Sequence, residues 1–106
     1  MMTNVIALSR ATAGKAAAPL LTTMHLADPI PREHGNIATV ELRDPVAGRA
    51  AREAAANRGA DVLDQTIAAL IAMSDLDLDD VEDMDLIDLG RVLSSLTALL
   101  IQTESD

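Results

Sequence analysis

Ile37-Ala38-Thr39-Val40-Glu41-Leu42-Arg43-Asp44-Pro45 is the stretch that decides the fold of this chain. Its first seven residues alternate. Ala38, Val40 and Leu42 fall on one side, and Thr39, Glu41 and Arg43 on the other, which is the period of a half-buried strand. Asp44-Pro45 then stops the strand and starts a helix. The aspartate side chain can accept hydrogen bonds from free first-turn amides, and proline has the φ of the first helical position.

Upstream of this stretch, Leu21 to Leu26 reads as a first strand, β-branched at Thr22 and Thr23. Asp28-Pro29-Ile30-Pro31 must be extended or turning, because proline fixes its own φ and drives the preceding residue out of the helical region. Glu33-His34-Gly35-Asn36 supplies turn chemistry. Residues 22–43 therefore predict a β-hairpin. Two strands alone are marginal, so the hairpin must pack on helices or on another copy. Residues 1–21 are rich in Ala, Thr and Ser without a period, and are expected to be a flexible tail. Arg10 and Lys15 interrupt its apolar stretch, which argues against an export signal.

Downstream, a first helix is expected from Pro45 to about Asn57, closed by Asn57-Arg58-Gly59 with Gly59 in a left-handed cap. Asp61 opens a second helix, with Leu63, Ile67, Leu70 and Ile71 on one face. It ends near Ser74. Asp77 caps a short third helix carrying Leu78, Val81 and Met84. Asp85 caps a fourth, and Asp88 sits three residues on, near its positive end. Leu89, Val92, Leu93, Leu96 and Leu100 form an apolar stripe along this last helix. Residues 102–106 are expected to fray as an acidic end. The predicted fold is α+β, mostly α. One domain spans 22–101, with the hairpin at 22–43 and three to four helices at 45–101 in a small bundle.

The composition narrows the function. The chain has 106 residues and no Phe, Tyr, Trp or Cys. Its core must be aliphatic, which predicts an adaptable fold that gains stability from a partner or from self-association. Disulfides, thiol catalysis and cysteine-ligated zinc are excluded. The longest apolar run is too short to span a bilayer, so no membrane partner is expected. Net charge is −9, and residues 59–106 hold twelve acids against the single basic Arg91. So acidic a half repels phosphate backbones, and no nucleic-acid partner is expected.

No catalytic or cofactor constellation stands out. Asp75, Asp77 and Asp79 begin like a calcium loop. However, Asp80 occupies the position that needs glycine, and Leu86 the position that needs a bidentate acid. The acids from Asp75 to Asp88 read as helix caps and a solvated face. His25 and His34 lack companions that would make a metal site. Ser94-Ser95 lies within a helix without a nucleophile elbow. With Leu93 before it, the pair is also not the Asp-Ser-Leu site of an acyl carrier. The chain is therefore expected not to be an enzyme, and to use no cofactor or metal. The last helix is apolar over more than one face, which makes Leu89, Val92, Leu93, Leu96, Leu99 and Leu100 the candidate partner-binding residues.

The order of these signals resembles a known family. Pro29-Ile30, the Gly35 turn, Glu41-Leu42-Arg43 and Pro45 come first. Leu70-Ile71-Ala72-Met73-Ser74-Asp75-Leu76, Val81, Met84-Asp85 and a leucine-rich helix follow. Over residues 22–101 this is similar to the tail assembly chaperones of Mu-type and related tailed bacteriophages. The chain departs from their pattern at Asp75, where glycine is usual, and in lacking an aromatic near the end. The resemblance implies a protein of the infected cell's cytoplasm, absent from the finished virion. It implies binding to the long helical tape measure protein, which the chaperone keeps soluble until tail tube protein replaces it. Homo-oligomers and a longer frameshifted form are part of that expectation. Two rivals remain: a small acidic regulator that covers a basic site through Asp75–Asp88, and a structural tail-completion component.

Overall fold

The computed structural model describes residues 18–104. Strands β1 (Leu20–Ile30) and β2 (Ile37–Arg43) are followed by α1 (Pro45–Asn57), α2 (Val62–Met73), α3 (Leu78–Asp83) and α4 (Leu86–Glu104). The expected class holds: an antiparallel hairpin, then four helices among the described residues. Two boundaries differ. β1 starts at Leu20, inside the stretch expected to be a tail, and runs four residues past Leu26. Helix α4 continues through Gln102 to Glu104, where fraying was expected. The remainder of the expected tail, residues 1–17, and residues 105–106 lie outside the described residues.

The local stops and starts follow the side chains that mark them. Asp44 takes a left-handed conformation (φ 59°) and accepts the Ala47 amide at 3.1 Å, so strand becomes helix within one residue. Aspartate tolerates that region better than most residues. At the far end of α1, Gly59 (φ 86°) donates to Ala56, and Ala60 donates to Ala55. This is the paired-bond cap in which a left-handed glycine closes the helix. Asp61 caps α2, accepting from Asp64. Asp77 and Asp80 form a reciprocal capping box on α3. Asp85 accepts from the Ile87 and Asp88 amides at the start of α4.

Helix α4 lies against β1, and α2 lies against β2. The core between them is aliphatic: Leu26, Ile30, Val40, Leu42, Leu70, Met73, Val92, Leu96 and Leu100, among others, are buried. Leu76, Val81 and Met84 close it from the α3 side. The inward face of α2 is rotated from the expected one. Ala69, Leu70 and Met73 are buried, Ile67 and Ile71 are half-buried, and Leu63 is exposed. The reason is α1, which packs closely on α2. An added Cβ on Gly48 would stand 2.7 Å from Cγ of the buried Met73. The small residue lets the two helices approach, and Met73 fills the gap.

One irregularity organises the hairpin. His25 pairs with Thr39 and Ile30 with Ile37, so Leu26–Pro29 stand opposite Ala38 alone. Leu26 and Ile30, on either side of the irregularity, are both buried, and Ile37 is brought opposite Ile30. The bulge also takes amides out of the ladder, and these need other acceptors. Asp88 of α4 supplies them. Its Oδ1 accepts the Ala27 amide at 3.0 Å and its Oδ2 accepts the Asp28 amide at 2.9 Å. Arg91 Nη1 donates to the same carboxylate at 3.0 Å and to the His25 carbonyl at 3.4 Å. The two amides, chiefly Ala27 and then Asp28, hold the Asp88 carboxyl below its ordinary value against the opposing effect of burial, and Arg91 adds to this.

Two predictions follow from this packing. Gly48→Ala is expected to lower stability by about 1–2 kcal/mol, the cost of overpacking less the about 0.5–1 kcal/mol that alanine returns to a helix; urea titration followed by far-UV circular dichroism checks it. The second concerns acid. Because the Asp88 carboxyl is depressed in the folded chain, its stabilising contribution is present above the ordinary value of 3.8 and is lost as pH falls below it. Asp88→Asn is expected to destabilise the chain at pH 7, to speed amide exchange at Ala27 and Asp28, and to make the loss of stability at low pH shallower.

Candidate functional site

The residue types that could do chemistry are not gathered together. His25 lies on β1, His34 lies in the turn, and both are exposed. Among the described residues, no group of three His, Asp or Glu side chains could hold a metal ion. One depression, about 170 Å³, lies between β2 and Ser74–Leu76. It is smaller than the roughly 300 Å³ at which small-molecule sites begin. No helix among the described residues is long and apolar enough to cross a membrane.

The acidic stretch is only partly the solvated face expected of it. Asp80 is nearly buried. It accepts from Arg32 Nε at 2.9 Å and from Nη2 at 2.6 Å, and Arg32 Nη1 reaches Asp83 at 3.1 Å. Burial pushes the Asp80 carboxyl up, but the Asp77 amide and the Arg32 guanidinium outweigh it, and the net shift is downward. Asp77 and Asp85 cap helices, and Asp88 holds the β1 bulge. Five of the eight acids are therefore engaged within the chain. Asp75, Asp79 and Glu82 are the exposed remainder.

The leucine stripe of α4 is mostly core. Val92, Leu96 and Leu100 are fully enclosed, and they face the hairpin and α2. In this conformation they offer no surface to a partner. Leu89, Leu93 and Leu99 are half-buried along the margin. The physical reason is size. A hairpin and three other helices leave the aliphatic stripe of the longest helix as the main thing to pack around.

The surface that α4 does present is its opposite face. Ile87, Gly90, Ser94, Ala98 and Ile101 follow one another at helical spacing, and all are exposed. Leu86 and Ile87 are 81% and 74% open. Two shallow grooves meet at Ser94. One is walled by Val62 and Leu63 of α2 with Leu93 and Thr97; the other runs past Met24, Leu86 and Gly90. The one charged side chain lining either groove is Arg91, which is paired with Asp88. Apart from its chain neighbours and the backbone of its own helix, nothing among the described residues lies within 4 Å of where a Cβ on Gly90 would stand. A glycine inside a helix costs about 0.5–1 kcal/mol relative to alanine, and packing among the described residues gives no reason for it. Sequence reasoning passed over Leu86, Ile87, Val62 and the exposure of Leu63. The available signal was the lack of charge at positions 87, 90, 94, 98 and 101, which becomes visible once the inward stripe is placed.

Searches with this chain found no matching family model, curated protein or solved structure.

The two faces of α4 should respond differently to truncation. Leu96→Ala is expected to cost about 2–5 kcal/mol, whereas Ile87→Ala should stay within about 0.5 kcal/mol. Urea midpoints of the two variants, taken at low protein concentration, make the comparison.

Proposed function

We propose that this chain is a tail assembly chaperone of a tailed bacteriophage, and that it binds the tape measure protein through the outer face of α4. The observation that carries the reading is an exposed apolar face, almost free of charge, on a chain of net charge −9. Such a face suits an apolar helix laid into a groove, while the acids elsewhere keep a loaded assembly soluble. The ordered motifs over residues 22–101 supply the identity of the partner. Leu63 and Leu93 border the groove, so the contact uses the margin of the leucine stripe rather than its centre. On this reading the protein acts in the host cytoplasm and is absent from the mature virion.

The test is co-expression with the tape measure protein encoded beside it, followed by pull-down and sizing. A soluble complex is expected. Leu63→Glu or Ile87→Glu should abolish it while the chain alone stays folded. An insoluble tape measure protein that never co-purifies would overturn the reading. If a partner is instead lost on neutralising Asp75, Asp79 and Glu82, the acidic-regulator reading takes its place. Asp77 and Asp80 are unsuitable for that comparison, because they cap α3 and hold Arg32.

A further inference from the structure

We propose that a second copy of this chain covers the outer face of α4, in a two-fold contact centred on Ser94. The face has the symmetry that such a contact requires. A two-fold interface brings the same patch of both copies together, so its pattern must read the same in both directions. Ile87, Gly90, Ser94, Ala98 and Ile101 do so, with large residues at both ends and small ones between. Antiparallel crossing at Ser94 sets Ile87 opposite Ile101 of the second copy, and Gly90 opposite Ala98.

Three further observations agree. Gly90 has open space around it within the described chain, and a close helix crossing gives that space an occupant. The charge pattern permits approach, since Arg91 falls opposite Thr97 of the second copy and no acid meets an acid at the centre. The area is also adequate. Leu86, Ile87, Ile101, Val62 and Leu63 are between 55% and 81% exposed. Each leaves on the order of 100 Å² open. With the small residues between them, the face approaches the roughly 800 Å² per partner of a standard interface. That lies at the upper end of the roughly 300–600 Å² spanned by the largest apolar patch of an ordinary soluble monomer.

The consequence for cargo rests on the proposed chaperone reading. The second copy and the tape measure helix would share one face, so binding cargo would split the dimer.

The first experiment uses the full chain alone. Sizing is read by light scattering and refractive index, because the chain has no Trp or Tyr to absorb at 280 nm. A mass twice the 11.1 kDa of one chain is expected. Ile87→Glu should halve that mass with an unchanged far-UV spectrum. Ser94→Cys, in a chain without other cysteines, should form a covalent dimer on oxidation, and Glu53→Cys should not. A monomer at all concentrations would overturn the proposal. So would a dimer that survives Ile87→Glu and leaves Ser94→Cys uncrosslinked. In the second arm, a tape measure fragment is added to oxidised and reduced Ser94→Cys. Binding by the reduced form alone supports the shared face, and equal binding by both refutes it. Binding by neither counts against the chaperone reading and leaves the dimer result standing.

Discussion

The Asp88 carboxylate is the constraint on which the rest of the structure depends. It joins the start of the last helix to an irregular turn of chain some sixty residues earlier. Without an acceptor, the amides of Ala27 and Asp28 would have to find water or return to the ladder. Returning them would remove the bulge and change the register of β1. The Ile30–Ile37 pairing that closes the hairpin beyond the bulge would then be lost. A short hairpin has little stability of its own, so one well-placed carboxylate decides whether helix and hairpin form one core.

A second tie works in parallel. Arg32, just after β1, reaches the capping box of α3 through Asp80 and also reaches Asp83. The two ties fasten the turn end of the hairpin at two points, each using an acid from the same dense stretch. The negative charge of that stretch is thus spent largely on assembly of the fold. What is left for an external partner is an apolar face with little charge and a small exposed acidic remainder.

Much of this was legible in the sequence, and the limits are physical. Alternation over Thr39–Arg43, the Asp44-Pro45 start, the Gly59 stop and the caps at Asp61, Asp77 and Asp85 are local signals, each written within a few residues, although Ala38, expected on the side of Val40 and Leu42, is exposed where the bulge interrupts the ladder. The hairpin and the helices follow from them. Asp88 is different. Three residues into a helix it looks like an ordinary first-turn acid, and nothing near it in the chain announces two amides of β1. The inward face of α2 was misjudged for a related reason. Periodicity shows that Leu63, Ile67, Leu70 and Ile71 share a side, but the close approach of α1 at Gly48 rotates the buried side toward Ala69 and Met73. The functional surface was hardest to place. Leucines dominate the sequence of α4, yet most of them are needed inside, and the face left outward is marked chiefly by the absence of charge.

A core without a single ring has a consequence for descent. Aliphatic side chains of similar volume exchange at small cost, so positions such as Leu70, Leu76 and Val81 can trade identities without disturbing the shape. Gly48, whose Cβ position is already taken, and Asp88, whose two oxygens are already committed, have no such freedom. A lineage carrying this fold would drift quickly in the letters of its interior while holding a few small or charged residues fixed. In such a lineage, kinship would be recorded in those few positions and in the order of the helix stops, more than in the hydrophobic residues that make up most of the core.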